Sequence, residues 1–293
     1  MRSRSLAAFL GGMLLFAATT SEATLHTVRQ DGSGDFTNLT AAVAGSTSGD
    51  SIEIGPGIYD EGATVEIGKR LVVYSVAGAA STVLTGNGTH PILWLPGVMV
   101  QVKGLTFRDG WGGAVRIGSY ANIEDCVFEN NRAASGAALY IYGRVALYDD
   151  VSVRRCLFTG GLATSAGSAA YVDRGAEPRF EDCVFDNNRT DPGGNSFGLG
   201  GALDFFYAEH SSVYRCLFTS NVSPGLGSAI ASYFSEMLVL ENTFVGNTSG
   251  VNGGTVYLNR GESRNFHSNI VAGETQGYGL VVVINYVAHV GCN

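Results

Sequence analysis

Charge is scarce in this sequence: Asp, Glu, Lys and Arg make up 15% of its 293 residues, against 45% apolar ones. That balance excludes a disordered, self-repelling chain and leaves ample material for a core. Proline is scarcer still, at 6 residues, which excludes a proline-rich linker or polyproline protein. The five cysteines contain no C-x-x-C pair, and His26, His90, His210, His267 and His289 are scattered. Neither set has the spacing of a zinc site, so no metal and no cofactor is expected. Apolar runs are short, the longest being the 13 residues 6–18, below the ~20 a bilayer crossing needs. No membrane span is expected. Basic residues are outnumbered, for a net charge of −8, which argues against nucleic acid as a partner, because phosphate binding needs a basic face. The same balance counts more weakly against acidic polysaccharides, unless a local Arg cluster overrides it.

The N-terminus reads as an export signal. Arg2 and Arg4 precede the apolar run, and Ser21-Glu22-Ala23 supplies a small–x–small cleavage site. Residues 1–23 are therefore expected to be a signal peptide, with 24–293 a single mature domain that is secreted (extracellular, cell-surface or periplasmic). Its cleavage would leave 16 basic and 25 acidic side chains, net −9.

What the sequence does have is glycine, 41 residues without a G-X-Y period, and an internal repeat. One phrase pairs Cys with Phe two residues on and a later Asn or Gly. It occurs as Cys126/Phe128/Asn131, Cys156/Phe158/Gly161, Cys183/Phe185/Asn188 and Cys216/Phe218/Asn221. Degenerate copies carry Phe107, Phe244 and Val271, so the steps between copies run 21, 30, 27, 33, 26 and 27 residues. A second phrase, a short alternating strand, falls between them at Val115, Leu139, Ala170, Leu203, Ile230 and Val256. Irregular steps with fixed phrases describe a solenoid whose loops grow while its strands stay in register. The expected fold is all-β: a single-stranded right-handed parallel β-helix, two strand phrases per coil. Like residues should stack ~4.8 Å apart. The Asn file is expected to supply left-handed turn residues and a side-chain ladder. The Cys file reads as buried thiols, since a ~4.8 Å rung exceeds the ~3.8 Å between β-carbons that a disulfide prefers. Asp31-x-Ser33-x-Asp35 lacks the glycine and final Glu of a calcium loop and reads as a turn.

These phrases resemble the right-handed β-helix repeats of the pectate lyase-like superfamily. The opening Asp31-Gly32-Ser33-Gly34-Asp35-Phe36, with Gly55-Pro56-Gly57-Ile58-Tyr59, is similar to the first coil of pectin methylesterases. That resemblance implies the fold over residues 26–293, with a short N-terminal capping helix at the amphipathic stretch 39–43. The paired Asp, Arg and Gln motifs of pectin methylesterases are missing, as are polygalacturonase and pectate lyase signatures, so no catalytic residue is assigned. The one Asp pair, Asp149-Asp150, stands outside such a context.

Strand parity supplies the candidate site. With the second phrase's aliphatic residues facing in, the outward row reads Arg116, Tyr140, Tyr171, Asp204, Ala231, Tyr257. Two residues on, it reads Gly118, Tyr142, Asp173, Phe206, Tyr233, Asn259. Aromatic faces interleaved with charge suit sugar rings, so Arg116, Tyr140, Tyr171, Asp173, Asp204 and Tyr257 are expected to bind a polysaccharide or glycan. The alternatives are a polysaccharide lyase or hydrolase using Asp173, Asp204 and Arg116, and a passive adhesin-like solenoid. The ending Val290-Gly291-Cys292-Asn293 looks uncapped, which points to truncation or to a further coil or partner at that end.

Overall fold

The computed structural model describes residues 22–118, 120–143, 150–191, 193, 199–208, 210–235, 237–250, 253–259, 265–273 and 278–283. All but the last two residues of the expected signal peptide, together with Asp149 and the ending 290–293, lie outside these.

One coil shows the plan. Strand Ala121–Glu124 is followed by Val127–Glu129, Arg132–Ser135 and Leu139–Ile141. Asp150–Arg154 then pairs in parallel on top of the first, Ala121 opposite Val151. Repetition builds four parallel sheets. A ten-strand sheet runs from Leu25–Val28 to Asn265–His267. A nine-strand Phe sheet runs from Gly57–Asp60 to Ile270–Ala272, and a five-strand sheet from Arg132–Ser135 to Thr248–Ser249. A second nine-strand sheet, which carries the outward row, runs from Val65–Glu66 to Tyr278–Val283.

The expectation of two strands per coil is thereby corrected. The Cys phrase is itself bent, with Glu124 ending one strand and Val127 opening the next, and a corner between them. Each corner uses one left-handed residue: Asp125, Arg155, Asp182 and Arg215, at φ 50–54°. A single such residue turns the chain without a loop, so the strands on either side keep their register. Stacking puts these corner side chains over one another, and their signs alternate. Arg155 Nε lies 2.8 Å from Asp125 Oδ1, and Arg215 Nε 2.7 Å from Asp182 Oδ1. Like charges directly opposite would repel.

The Asn file forms its ladder, but not with the backbone expected. The left-handed residues are Asp109, Asn130, Asn187 and Ser220 (φ 52–55°), each one position before the file. Asn188, Asn221 and Asn247 are instead buried. Asn188 Nδ2 donates to Asn221 Oδ1 (3.0 Å) and to Phe158 O (3.0 Å), and Asn221 Nδ2 donates to Asn247 Oδ1 (2.9 Å) and to Phe185 O (2.9 Å). The corner's polar groups are thus satisfied inside the solenoid.

Phe107, Phe128, Phe158, Phe185, Phe218 and Phe244 pair in register from rung to rung. All are buried, and their rings stack at 4.6–5.1 Å between centroids. Each buried ring contributes roughly 1.5–3 kcal/mol. Beside them Cys126, Cys156, Cys183 and Cys216 are buried free thiols, and Asn242 and Asn269 continue the same file as a second ladder (Asn242 Nδ2 to Asn269 Oδ1, 3.1 Å).

Helix Leu39–Gly45 buries Leu39, Ala42 and Val43 against the first two strands of the ten-strand sheet. Asn38 caps it by accepting from Ala41 N at 2.8 Å. Asp31 and Asp35 are local turn acceptors: Asp31 Oδ1 takes Ser33 N (3.0 Å), and Asp35 Oδ2 takes Thr27 N (2.8 Å).

Candidate functional site

The outward row is continuous. Glu66, Trp94, Arg116, Tyr140, Tyr171, Asp204, Ala231 and Tyr257 occupy one register line of the second nine-strand sheet. Alternation alone fixes it, because Leu93, Leu95, Val115, Ile117, Leu139 and Ile141 fill the interior.

Burial divides that row in two. At its lower end Trp94, Arg116, Tyr140, Tyr142 and Asp173, with Thr64 and Pro91, line an open groove of about 720 Å3. Trp94 is 37% exposed and donates from Nε1 to Tyr142 Oη (2.9 Å), which fixes its ring. The rings of Tyr140 and Tyr142 lie 6.0 Å apart at 58°, and Tyr140 and Tyr171 lie 5.3 Å apart at 40°. Tyr140 Oη donates to Asp173 Oδ2 (3.3 Å), and Asp173 Oδ1 accepts from Arg174 N (2.8 Å). Partial burial, followed by the Asp173 charge, pushes the Tyr140 phenol up, so it stays a protonated donor. The exposed Arg116 donates to Gly112 O (3.2 Å).

At the upper end the expectation fails. Asp204 and Tyr257 point outward but are buried, at 1% and 8% exposure, and they offer nothing to a ligand. Ala231, between them in the row, is buried as well. Around them Tyr233 packs on Tyr257 at 5.4 Å, and the Tyr257 hydroxyl accepts from Asn259 Nδ2 (3.1 Å). Asp204 Oδ2 has no hydrogen-bond partner among the described residues, and burial pushes the carboxyl up to about 8. Tyr171 sits at the boundary, half-buried, its phenol raised by burial and then by the Asp173 and Asp204 carboxyls.

The structure therefore brings together Arg116, Tyr140 and Asp173, with Tyr171 at the edge, and separates Asp204 and Tyr257 from them. The row missed Trp94, although the alternation Leu93-Trp94-Leu95 is one more copy of the second phrase. Tyr142 was visible two positions beyond Tyr140. Thr64 and Pro91 carry no periodic signal. Away from the row, His210 Nδ1 stands 3.3 Å from Glu177 Oε1.

The family model described as "Right handed beta helix region" matches residues 55–195 and 135–289. The chain belongs to the right-handed β-helix family. Within that family its architecture is pectin lyase-like. Over 82% of its length, and 81% of the other chain, this β-helix is similar to pectin methylesterase PemA from Erwinia chrysanthemi, with 14% identity and a TM-score of 0.50. It is also similar to a mannuronic acid-specific family 6 polysaccharide lyase from human gut microbiota, at 14% identity and a TM-score of 0.52, over 81% of this chain and 64% of that one. At such identities the likeness is one of fold. Among curated proteins it is similar to a probable pectinesterase/pectinesterase inhibitor of Arabidopsis thaliana, 27% identical over 216 residues. Those residues cover 67% of this chain and 33% of that protein, so the β-helix spans about a third of the relative's length.

Proposed function

We propose that this β-helix is an exported protein that binds a polysaccharide along the open end of its outward row. The observation that carries the reading is the groove itself. Trp94 and, two rungs above it, Tyr140 and Tyr142 present aromatic surface, with Arg116 on the rung between and Asp173 on the rung above as hydrogen-bonding groups. Aromatic rings cover the apolar faces of pyranose rings while charged groups meet their hydroxyls, and a groove parallel to the solenoid axis suits a chain rather than a single sugar. The pectinesterase names of the curated relatives support the same substrate class.

A hydrolase or lyase has one observation in its favour, the Asp204 carboxyl held protonated near neutral pH. Arg116 stands three rungs from it in register, about 14 Å, and burial keeps Asp204 from the groove. Binding is the reading the geometry supports best.

Affinity electrophoresis against a polysaccharide panel tests it. Trp94→Ala and Tyr140→Ala are each expected to weaken retardation roughly tenfold. Unchanged binding in both would remove the groove as the site, and binding to no polysaccharide would leave the passive solenoid. Release of reducing ends or unsaturated sugar by the wild type would establish the enzyme instead.

A further inference from the structure

A second groove, of about 730 Å3, lies on a different side of the solenoid, over the five-strand sheet and the corner that leads into it. It shares no lining residue with the first. Its floor is another register line, Trp111, Arg132, Leu162 and Arg189 on successive rungs. Trp111 is 56% exposed, and both Arg side chains face solvent. The corner contributes the exposed Asn130 and Asn187, whose left-handed backbone sets them along the rim. Their amides have no hydrogen-bond partner among the described residues.

The groove's lining holds two guanidiniums, Arg132 and Arg189, against one carboxylate, Asp109, in a molecule that is net acidic. Asp109 is matched to Arg108 (3.4 Å) and Asp191 to Arg189 (3.1 Å). Arg132 has no ion pair among the described residues. Arg132 and Arg189 are two rungs apart, about 9.6 Å, comparable to two pyranose rings of an extended chain. An exposed indole beside them adds a flat apolar surface, and the amides add donors and acceptors. A small free anion would use one guanidinium and none of the rest. A peptide that adds to a sheet edge lies along a strand, whereas this groove runs across the strands, from Trp111 to Arg189.

We propose that this second groove binds a linear anionic glycan running along the solenoid axis, with acidic groups on alternate sugars meeting Arg132 and Arg189 and a ring packed on Trp111. Guanidinium–carboxylate and guanidinium–sulfate contacts share this chemistry. The proposal is independent of the first groove, and its test keeps the two apart.

The full mature chain is titrated by calorimetry with polygalacturonate, a sulfated galactan, a neutral galactan and poly-glutamate, at low and high salt. The Arg132→Gln/Arg189→Gln double variant and Trp111→Ala are expected to weaken polygalacturonate binding, sulfated-galactan binding or both by roughly tenfold or more. The salt dependence should fall with the two charges, and any binding of neutral galactan should stay unchanged. Which of the two anionic probes is affected identifies the acidic group. Anionic-glycan binding that survives both variants, or that Tyr140→Ala alone abolishes, would overturn the site. Poly-glutamate binding as tight as the glycans would overturn the ligand class.

Discussion

Asp204 is the residue whose position is hardest to reconcile with stability alone. Its neighbours in the register line are Tyr171 below and Ala231 above, and neither compensates a charge. Burial therefore favours the protonated acid, up to about 8 against an ordinary value of 3.8. The sign of the pH effect follows. Below about pH 4 the folded and unfolded chains both hold the proton, and the group costs nothing. Between 4 and 8 the unfolded chain releases the proton while the folded one keeps it, so stability falls as pH rises, by a few kcal/mol in total. Above 8 both are ionised and the loss stays constant. Asp204→Asn removes this titration. Its melting temperature should exceed that of the wild type at pH 8, with the gap closing towards pH 4, as scanning calorimetry across that range would show. Other groups titrating in the window are common to both proteins and cancel in the difference. Two parallel profiles would mean the carboxyl is solvated and ionised after all.

At the level of the strand and its corner, one file can be filled in two chemically different ways. Cys126, Cys156, Cys183 and Cys216 give way to Asn242 and Asn269 with no change of register. The thiols approach the carbonyl of the rung below, as Cys183 Sγ does to Val153 O (3.5 Å), where Asn242 Nδ2 donates to Val213 O at 3.0 Å. Asn242 Oδ1 already accepts from Cys216 N (2.8 Å). Cys216→Asn should therefore extend the ladder by one rung, its amide facing Phe180 O and Cys183 N. It should unfold within about 1 kcal/mol of the wild type, each new bond contributing about that much against the cost of burying an amide. Cys216→Leu, by contrast, overpacks a full site and should cost about 1–3 kcal/mol. Urea titrations of the two variants decide it, and an asparagine no better tolerated than leucine would refute the equivalence. This exchange also marks what was legible in the sequence. The Phe file could be read because one bulky residue type fills every rung from Phe107 to Phe244. The Cys phrase misled, because alternation suggests one strand, while the bend lies in the φ of Asp125, Arg155, Asp182 and Arg215, residues chosen for no shape the sequence displays. Their alternating sign was the available signal. Of the candidate site, parity put Arg116, Tyr140 and Asp173 on the outward face, where they line one groove. It could not show that Asp204 and Tyr257 are buried, because burial depends on how neighbouring side chains such as Tyr233 pack, not on parity.

For the molecule as a whole, the solenoid makes stability local. Every strand pairing is with the rung above or below, and within the file each Phe ring stacks on the ring of the next rung. Such a chain behaves as a one-dimensional array in which each coil is held by its own packing and two interfaces. Phe158 stands mid-file between Phe128 and Phe185, each at 4.8 Å. Phe158→Ala should cost about 3–5 kcal/mol, and the loss should be spatially confined. Hydrogen exchange followed by mass spectrometry is expected to show faster exchange in peptides covering 121–143 and 150–191, while 25–85 and 237–250 keep wild-type protection. That asymmetry would leave the first groove, whose Tyr140 and Asp173 lie on the affected coils, weakened at its upper edge but intact at Trp94. Uniform acceleration across all coils would show instead that the solenoid opens as one cooperative unit, in which case a change at any rung would reach both grooves equally.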